Sequence, residues 1–499
     1  MKQVLASGAI TSVELFPYVD THSIIKNKTL ENSSNENCDD AFFICDLGDV
    51  VNKHNRWLHE FPRIHPHYAI KCNPDPTMLK MLLAFGTGFD CASKTEIQQM
   101  LDLGATPDQI IFANPCKQAS HIRYARDNKV KLIVFDNENE LVKMKKIYPN
   151  ADLVLRIQTD DSNSVCRFSM KYGAHPDSCP QLIDTAFKMG LNVVGISFHV
   201  GSGCQDVNAY MKALQNAQTL FDYAAKLGHQ FTLLDIGGGF PGTEDVDLTF
   251  EKIAAVVNHQ LDVLFPQEEN QHVRVIAEPG RYYAASAFTL ATNVIAKRDV
   301  ARDLPTDENL ADGDAVLNAV IPQKCDEPAY MYYVNDGLYG SFNCLFYDHA
   351  KVTPTLLKKF HYDTLKFSSS IWGPTCDGLD QITKHILLPE IDTGDWIIWH
   401  DMGAYTVAAG SAFNGFKTKK MFYVISDENC LLMKKMILQD RVMSNVRFVS
   451  CSDMQKPNRD NYYMPEMYDD NIDVEERIAS DPAADKCAIG ARTEVIVSV

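Results

Sequence analysis

HYAIKC (67–72), GFDCAS (88–93), QIIFANP (109–115), LIVFDN (132–137), LVLRIQ (153–158), VVGISFHV (193–200), TLLDIGGGF (232–240) and RVIAEPGRY (274–282) are short apolar, β-branched runs that recur through the first half of the chain. Polar residues and amphipathic stretches such as MLKMLLAFG (78–86) and ENELVKMKKIY (138–148) separate them. Eight such runs alternating with helical segments predict a (β/α)8 TIM barrel, because parallel strands covered by helices are buried on both faces and read as near-continuous apolar runs. Catalytic side chains of a barrel sit at the C-terminal ends of its strands. Lys71, Asp90, Arg156, His199, Gly237 and Glu278 all fall there. Chance accounts for one or two such residues, hardly for all of them.

Outward from this core the texture changes. After about residue 283 the chain turns β-rich, with AYMYYVNDGLYGSFNCLFY and GDWIIWHDMGAYTVA, and Asn335-Asp336-Gly337 as a turn signal. The predicted organisation is an α/β barrel over 48–282 and a C-terminal all-β domain from 1–47 and 283–450, which AFFICDL (41–47) joins as a strand; 451–499 is a partly disordered tail. Lys26 to Asp40, the acidic loop around Asp303 to Asp314, and Ser452 to Lys486 read as mobile.

Composition narrows the function classes. With 45% hydrophobic and 22% charged residues in 499, the chain is globular and long enough for two domains. A formal charge of −18 argues against nucleic acid or an anionic membrane as partner and suits a small cationic substrate. MKQVLASGAITSVELF lacks an apolar signal core, and no stretch approaches the roughly 20 apolar residues of a membrane span, so a cytoplasmic protein is expected. The 14 Cys show no paired metal spacing and are expected as reduced thiols, with no metal site.

Several strand-end residues suggest one chemistry. Lys71 closes an apolar run, where burial lowers an ammonium's pKa and makes the amine nucleophilic toward an aldehyde, although alone it reads as an ordinary solvated lysine. Gly237-Gly238-Gly239-Phe240-Pro241-Gly242 fits G-x-G-x-x-G, yet it follows the seventh strand of a repeat rather than the first strand of a dinucleotide fold. Barrels commonly bind phosphate after strands seven and eight, and Gly280 and Arg281 complete such a cradle. Glu278 beside it could hold a pyridine nitrogen protonated, and His199 could stack on the ring.

YAIKCN (68–73), FDCAS (89–93), FHVGSGC (198–204), DIGGGFPG (235–242), AEPGRYY (277–283), YVNDGLYGSFNC (333–344), WGPTCDGLD (372–380) and DMGAYT (401–406) together resemble the eukaryotic ornithine decarboxylases, barrel-type enzymes dependent on pyridoxal 5′-phosphate. The likeness runs from about residue 41 to 425. It implies decarboxylation of L-ornithine to putrescine, the first step of polyamine synthesis. It further implies that Lys71 holds the cofactor covalently, that Glu278 meets its pyridine nitrogen, and that His199 lies on its face. Ser202, Gly238, Gly239, Gly280, Arg281 and Tyr405 would bind the phosphate, with Asp90 and Arg156 close to the cofactor. Cys376 matches the proton donor to the product carbanion; Asp348 and Asp377, with Tyr347, match the substrate pocket.

Two carboxylates at the far end of the pocket favour a terminal ammonium over a second carboxylate. Lysine differs from ornithine by one methylene, worth only about 1–3 kcal/mol, so a lysine decarboxylase stays open. So does a catalytically inactive regulator resembling antizyme inhibitor, although Lys71, Asp90, Arg156, Glu278, Arg281, Cys376 and Asp377 are all retained. An alanine-racemase-like enzyme would leave Asp348, Cys376 and Asp377 without a role. The likeness implies a homodimer with shared active sites. His121, Arg123, Arg126, Lys129, Lys131, Lys143, Lys145 and Lys146 read either as the family's antizyme-binding face or as a solvated helix surface. After about residue 425 the match fades, leaving Cys487 as an echo.

Overall fold

A computed structural model describes residues 11–33, 39–244, 246–300, 329–416, 419–438, 443 and 446–450. The acidic loop around Asp303 to Asp314, the stretch Ser452 to Lys486 and Cys487 lie outside these. Each of the eight apolar runs contains or overlaps a strand: β1 (Ile64–Ala69), β2 (Gly88–Cys91), β3 (Ile110–Phe112), β4 (Leu132–Phe135), β5 (Asp152–Arg156), β6 (Asn192–Ser197), β7 (Leu233–Asp235) and β8 (Arg274–Ala277). They close into a parallel barrel, with β8 paired to β1 through Val275–Ile64 and Ile276–His65. Ile110, Ile111 and Phe112 are fully buried, because one face of each strand fills the barrel and the other meets the helices. Register aligns the functional ends: Ala69 pairs with Asp90, and Arg156 with Ser197.

The second unit is a mixed sheet. Phe42–Asp46 lies antiparallel to Phe288–Val300, the strand that leaves the barrel, and parallel to Lys420–Ser426. Thr11–Phe16 and Val446–Ser450 extend one side; Ala329–Val334, Lys366–Trp372 and Gln381–Pro389 extend the other. Asn335-Asp336-Gly337 makes no two-residue hairpin, since Ala329–Val334 runs parallel to Lys366–Trp372. Asp336 instead accepts from the amides of Gly337 (2.9 Å) and Ser341 (3.1 Å), folding the chain into a short 3₁₀ turn.

One expectation is corrected. The segment read as mobile from Lys26 begins inside a helix, Thr21–Ser33. Ile24 and Ile25 are buried with Phe42, Ile44 and Val424, and Lys28 pairs with Glu14 at 2.7 Å. Three apolar residues among polar ones, Leu30 well apart from Ile24 and Ile25, make a weak helical pattern; packing against the sheet supplies the rest. Among the described residues, no helix is long and apolar enough to cross a membrane, and no group of His, Cys, Asp and Glu is arranged to hold a metal.

Candidate active site

The strand ends converge on a cavity of about 320 Å³ lined by Lys71, Asp90, Arg156, His199, Ser202, Tyr347, Asp348 and Tyr405 among others. Lys71 is not the last residue of β1: it lies two residues beyond the strand, in the 3₁₀ turn Ile70–Cys72, which turns its side chain into the opening. Its ammonium pairs with Asp90, which is buried on β2. The expected lowering of its pKa does not occur. Burial alone pushes in that direction, but the charge of Asp90 above all overrides it and holds the amine protonated. The second oxygen of Asp90, Oδ1, is buried without a partner.

Glu278 sits behind this pair, just after β8, with Asp235 of β7 hydrogen bonded to it. Burial, then the charges of Asp235 and Asp90, drives Glu278 well above the usual carboxylate range. Burial likewise takes Asp235 up to about 7, against the pull of the Gly237 amide, 2.9 Å from its Oδ1. Two buried carboxyls so close cannot both ionise. Asp235 was not among the expected site residues, though the rule that found Asp90 applies to it: it is the one acid in TLLDIGGGF, at the strand's end. Cys166, Phe168 and Tyr172 also line the cavity. Cys166 ends a short strand, Ser164–Cys166, paired antiparallel with Ser202–Cys204, and Phe168 and Tyr172 follow it; no strand-end pattern of the barrel marks them.

His199 is fixed by its surroundings. The Gly201 N–H donates to Nδ1 at 3.0 Å, and Phe168 meets the ring edge to face at 4.9 Å. Burial, then Arg156 and Lys71, keeps the imidazole neutral. Arg156 stacks over Tyr172 at 5.3 Å.

Arg281 follows β8 in the turn Arg281–Ala284 and donates to Ser202 Oγ (2.9 Å) and to both oxygens of Asp348 (2.9 and 2.6 Å). Burial works against its charge and Asp348 more than offsets it. Tyr405, in the left-handed region at φ 55°, packs its ring beside the guanidinium at 5.2 Å. The glycines leave no room for a side chain. A Cβ on Gly238 would lie 2.8 Å from His199 Nε2, one on Gly239 2.8 Å from the Tyr210 hydroxyl, and one on Gly280 2.9 Å from Cys72 Cβ.

Cys376 and Asp377 do not join the cavity within this chain. They lie between the strands Lys366–Trp372 and Gln381–Pro389, where Cys376 is exposed. Asp377 accepts from the Tyr339 hydroxyl, which, with the Leu379 amide, holds its pKa below the usual value. Of the basic residues, Arg126 pairs with Asp127, and Lys143 turns in to Glu140. They belong to adjacent helices, Ala119–Asp127 and Glu138–Ile147.

Residues 47–285 match the family described as pyridoxal-dependent decarboxylase, pyridoxal binding domain. The chain is 50% identical to ornithine decarboxylase of Mus musculus over 412 residues, 83% of this chain and 86% of that one. It is 46% identical to that of Schizosaccharomyces pombe (78% and 84%) and 52% identical to antizyme inhibitor 2 of Xenopus laevis (77% and 81%). Among solved structures, the arginine decarboxylase of Paramecium bursaria Chlorella virus superposes with a TM-score of 0.72 at 33% identity, covering 81% of this chain and all of that one. The lysine/ornithine decarboxylase of Vibrio vulnificus, complexed with cadaverine, gives 0.67 at 29%, covering 81% and 99%. With this extent of identity, and a barrel whose strand ends carry the expected lysine, acids and glycines, the chain belongs to the ornithine decarboxylase family of pyridoxal-dependent decarboxylases.

Proposed function

We propose that the chain decarboxylates L-ornithine to putrescine with pyridoxal 5′-phosphate. The observation that carries this is one cavity lined by Lys71, neutral His199, Ser202 and Asp348, with the Asp235–Glu278 pair behind Lys71 and Arg281 bonded to the lining residues Ser202 and Asp348. These residues fit the cofactor. Asp348 already fills the Arg281 fork as an anion would, the bare glycines keep backbone close by, and Asp90 Oδ1 has acceptor capacity to spare. When bound, the cofactor contributes an electron sink for the pair left behind as carbon dioxide departs.

The remaining work falls to the chain. Lys71 would supply the anchoring amine, held in place by its ion pair with Asp90. Glu278, held neutral by burial, would be the acid available to protonate the cofactor's ring nitrogen. His199 offers a flat neutral face whose rotation is fixed by Gly201. Arg281, Ser202, Tyr405 and the backbone at Gly238, Gly239 and Gly280 hold the phosphate, while Arg156 orients the ring's surroundings. Asp348, which bonds Arg281 and lines the cavity beside Tyr347, would be the carboxylate available to a distal ammonium once Arg281 is engaged elsewhere.

Cys376 and Asp377 come from a second copy in a homodimer, where Cys376 delivers the product's proton and Asp377 holds the distal ammonium. Phe346, Tyr347 and Leu379, 72%, 68% and 75% exposed near the cavity mouth and the Cys376 loop, support such an interface. The basic residues on Ala119–Asp127 and Glu138–Ile147, with Lys129 and Lys131 between them, are proposed as an antizyme-binding face, to be tested by salt-sensitive binding. Comparing kcat/KM for ornithine, lysine and arginine tests the substrate: ornithine should lead by about tenfold or more, the scale set by one methylene. Equal values would refute ornithine preference. Turnover of none by cofactor-loaded protein would favour a non-catalytic regulator, the reading kept open by the similarity to antizyme inhibitor 2.

A further inference from the structure

Helix Leu47–Glu60 presents Val50, Val51, His54 and Trp57 to the core, and Lys53 lies on the same buried face. An ammonium there is costly unless every donor is engaged. Lys53 Nζ donates to the Gly242 carbonyl at 2.7 Å and to the Ser286 hydroxyl, and it lies 3.4 Å from Asp49. Ser286 in turn donates to Asp49 at 2.8 Å, and the Tyr282 hydroxyl donates to the Lys53 carbonyl at 2.9 Å. A hydrophobic side chain would fill this volume more cheaply, so the bonds themselves point to a task.

Both ends of the tie belong to the proposed phosphate cradle. Gly242 closes the glycine loop that follows β7, and Ser286 lies two residues past the turn Arg281–Ala284 that follows β8. Loop and turn touch with no slack: a Cβ on Gly242 would lie 2.3 Å from the Arg281 carbonyl and 2.6 Å from Ala285 Cβ. We infer that Lys53 is a positioning residue for the cofactor's phosphate, its ammonium clamping the Gly237–Gly242 loop to the Arg281 turn from behind. This rests on the cradle assignment made above.

The test compares affinities for pyridoxal 5′-phosphate and for pyridoxal, which shares the aldehyde and ring but lacks the phosphate. Binding is followed by absorbance and protein fluorescence, with thermal melting alongside. Lys53→Met should weaken pyridoxal phosphate by about tenfold or more, the scale for removing an outer group that orients binding residues, and leave pyridoxal within about twofold. Ser286→Ala, a milder change, should lose the same selectivity to a smaller degree even if Lys53→Met folds poorly. Equal losses for both compounds, or an unchanged preference for the phosphate ester in both variants, would overturn the inference. Arg281→Ala separates the two levels: if it too keeps the full preference, the cradle is wrongly placed and the clamp falls with it.

Discussion

Lys71 keeps its proton because Asp90 sits on it, so the amine must give that proton up before it can attack an aldehyde. Lys71→Ala should abolish the borohydride-reducible adduct with pyridoxal phosphate; an adduct surviving on another lysine would move the anchor elsewhere. Behind it, Asp235 is pushed from 3.8 to about 7. The folded chain then holds a proton that the unfolded chain has given up, so this group's contribution to stability is full below its unfolded value and is lost as pH rises toward 7. In cofactor-free Asp235→Asn, melting temperature should therefore fall less steeply than in the parent between about pH 5 and 7. Parallel slopes would mean that the two carboxyls share no proton.

At the scale of elements, what was legible followed from periodicity. Eight apolar runs marked the barrel strands because burial on both faces leaves little room for polar residues. Strand ends then marked Lys71, Asp90, Arg156, His199 and Glu278, since barrel topology delivers those ends to one rim. Charge coupling was not legible: the direction of the Lys71 shift depends on Asp90 and Glu278, 19 and 207 positions away, whose proximity only the closed barrel creates. Helix Thr21–Ser33 escaped for a related reason, because the sheet that covers Ile24 and Ile25 is assembled from distant segments. The glycine loop after β7 is the most constrained element. Gly239 has φ 111° and no space for a Cβ, so Gly239→Ala should cost about 1–3 kcal/mol in denaturant unfolding and weaken cofactor retention. A neutral substitution would show that the loop relaxes.

For the whole molecule, the decisive feature is that Lys71 lines the cavity while Cys376 stands exposed away from it in the same chain. A two-fold dimer that seats each Cys376 loop over its partner's barrel has two equivalent sites. Mixing inactive Lys71→Ala with Cys376→Ala under subunit exchange should then restore roughly a quarter of parent activity, because half the dimers are mixed and each of those has one intact site. No recovery despite exchange would place the whole site within one chain. The chemistry itself is most directly tested by supplying carboxyl-labelled L-ornithine to the purified chain with pyridoxal phosphate. One labelled carbon dioxide should be released for each putrescine formed, with none from Lys71→Ala; cofactor held on Lys71 without any release of label would contradict the assignment of this chain as a decarboxylase.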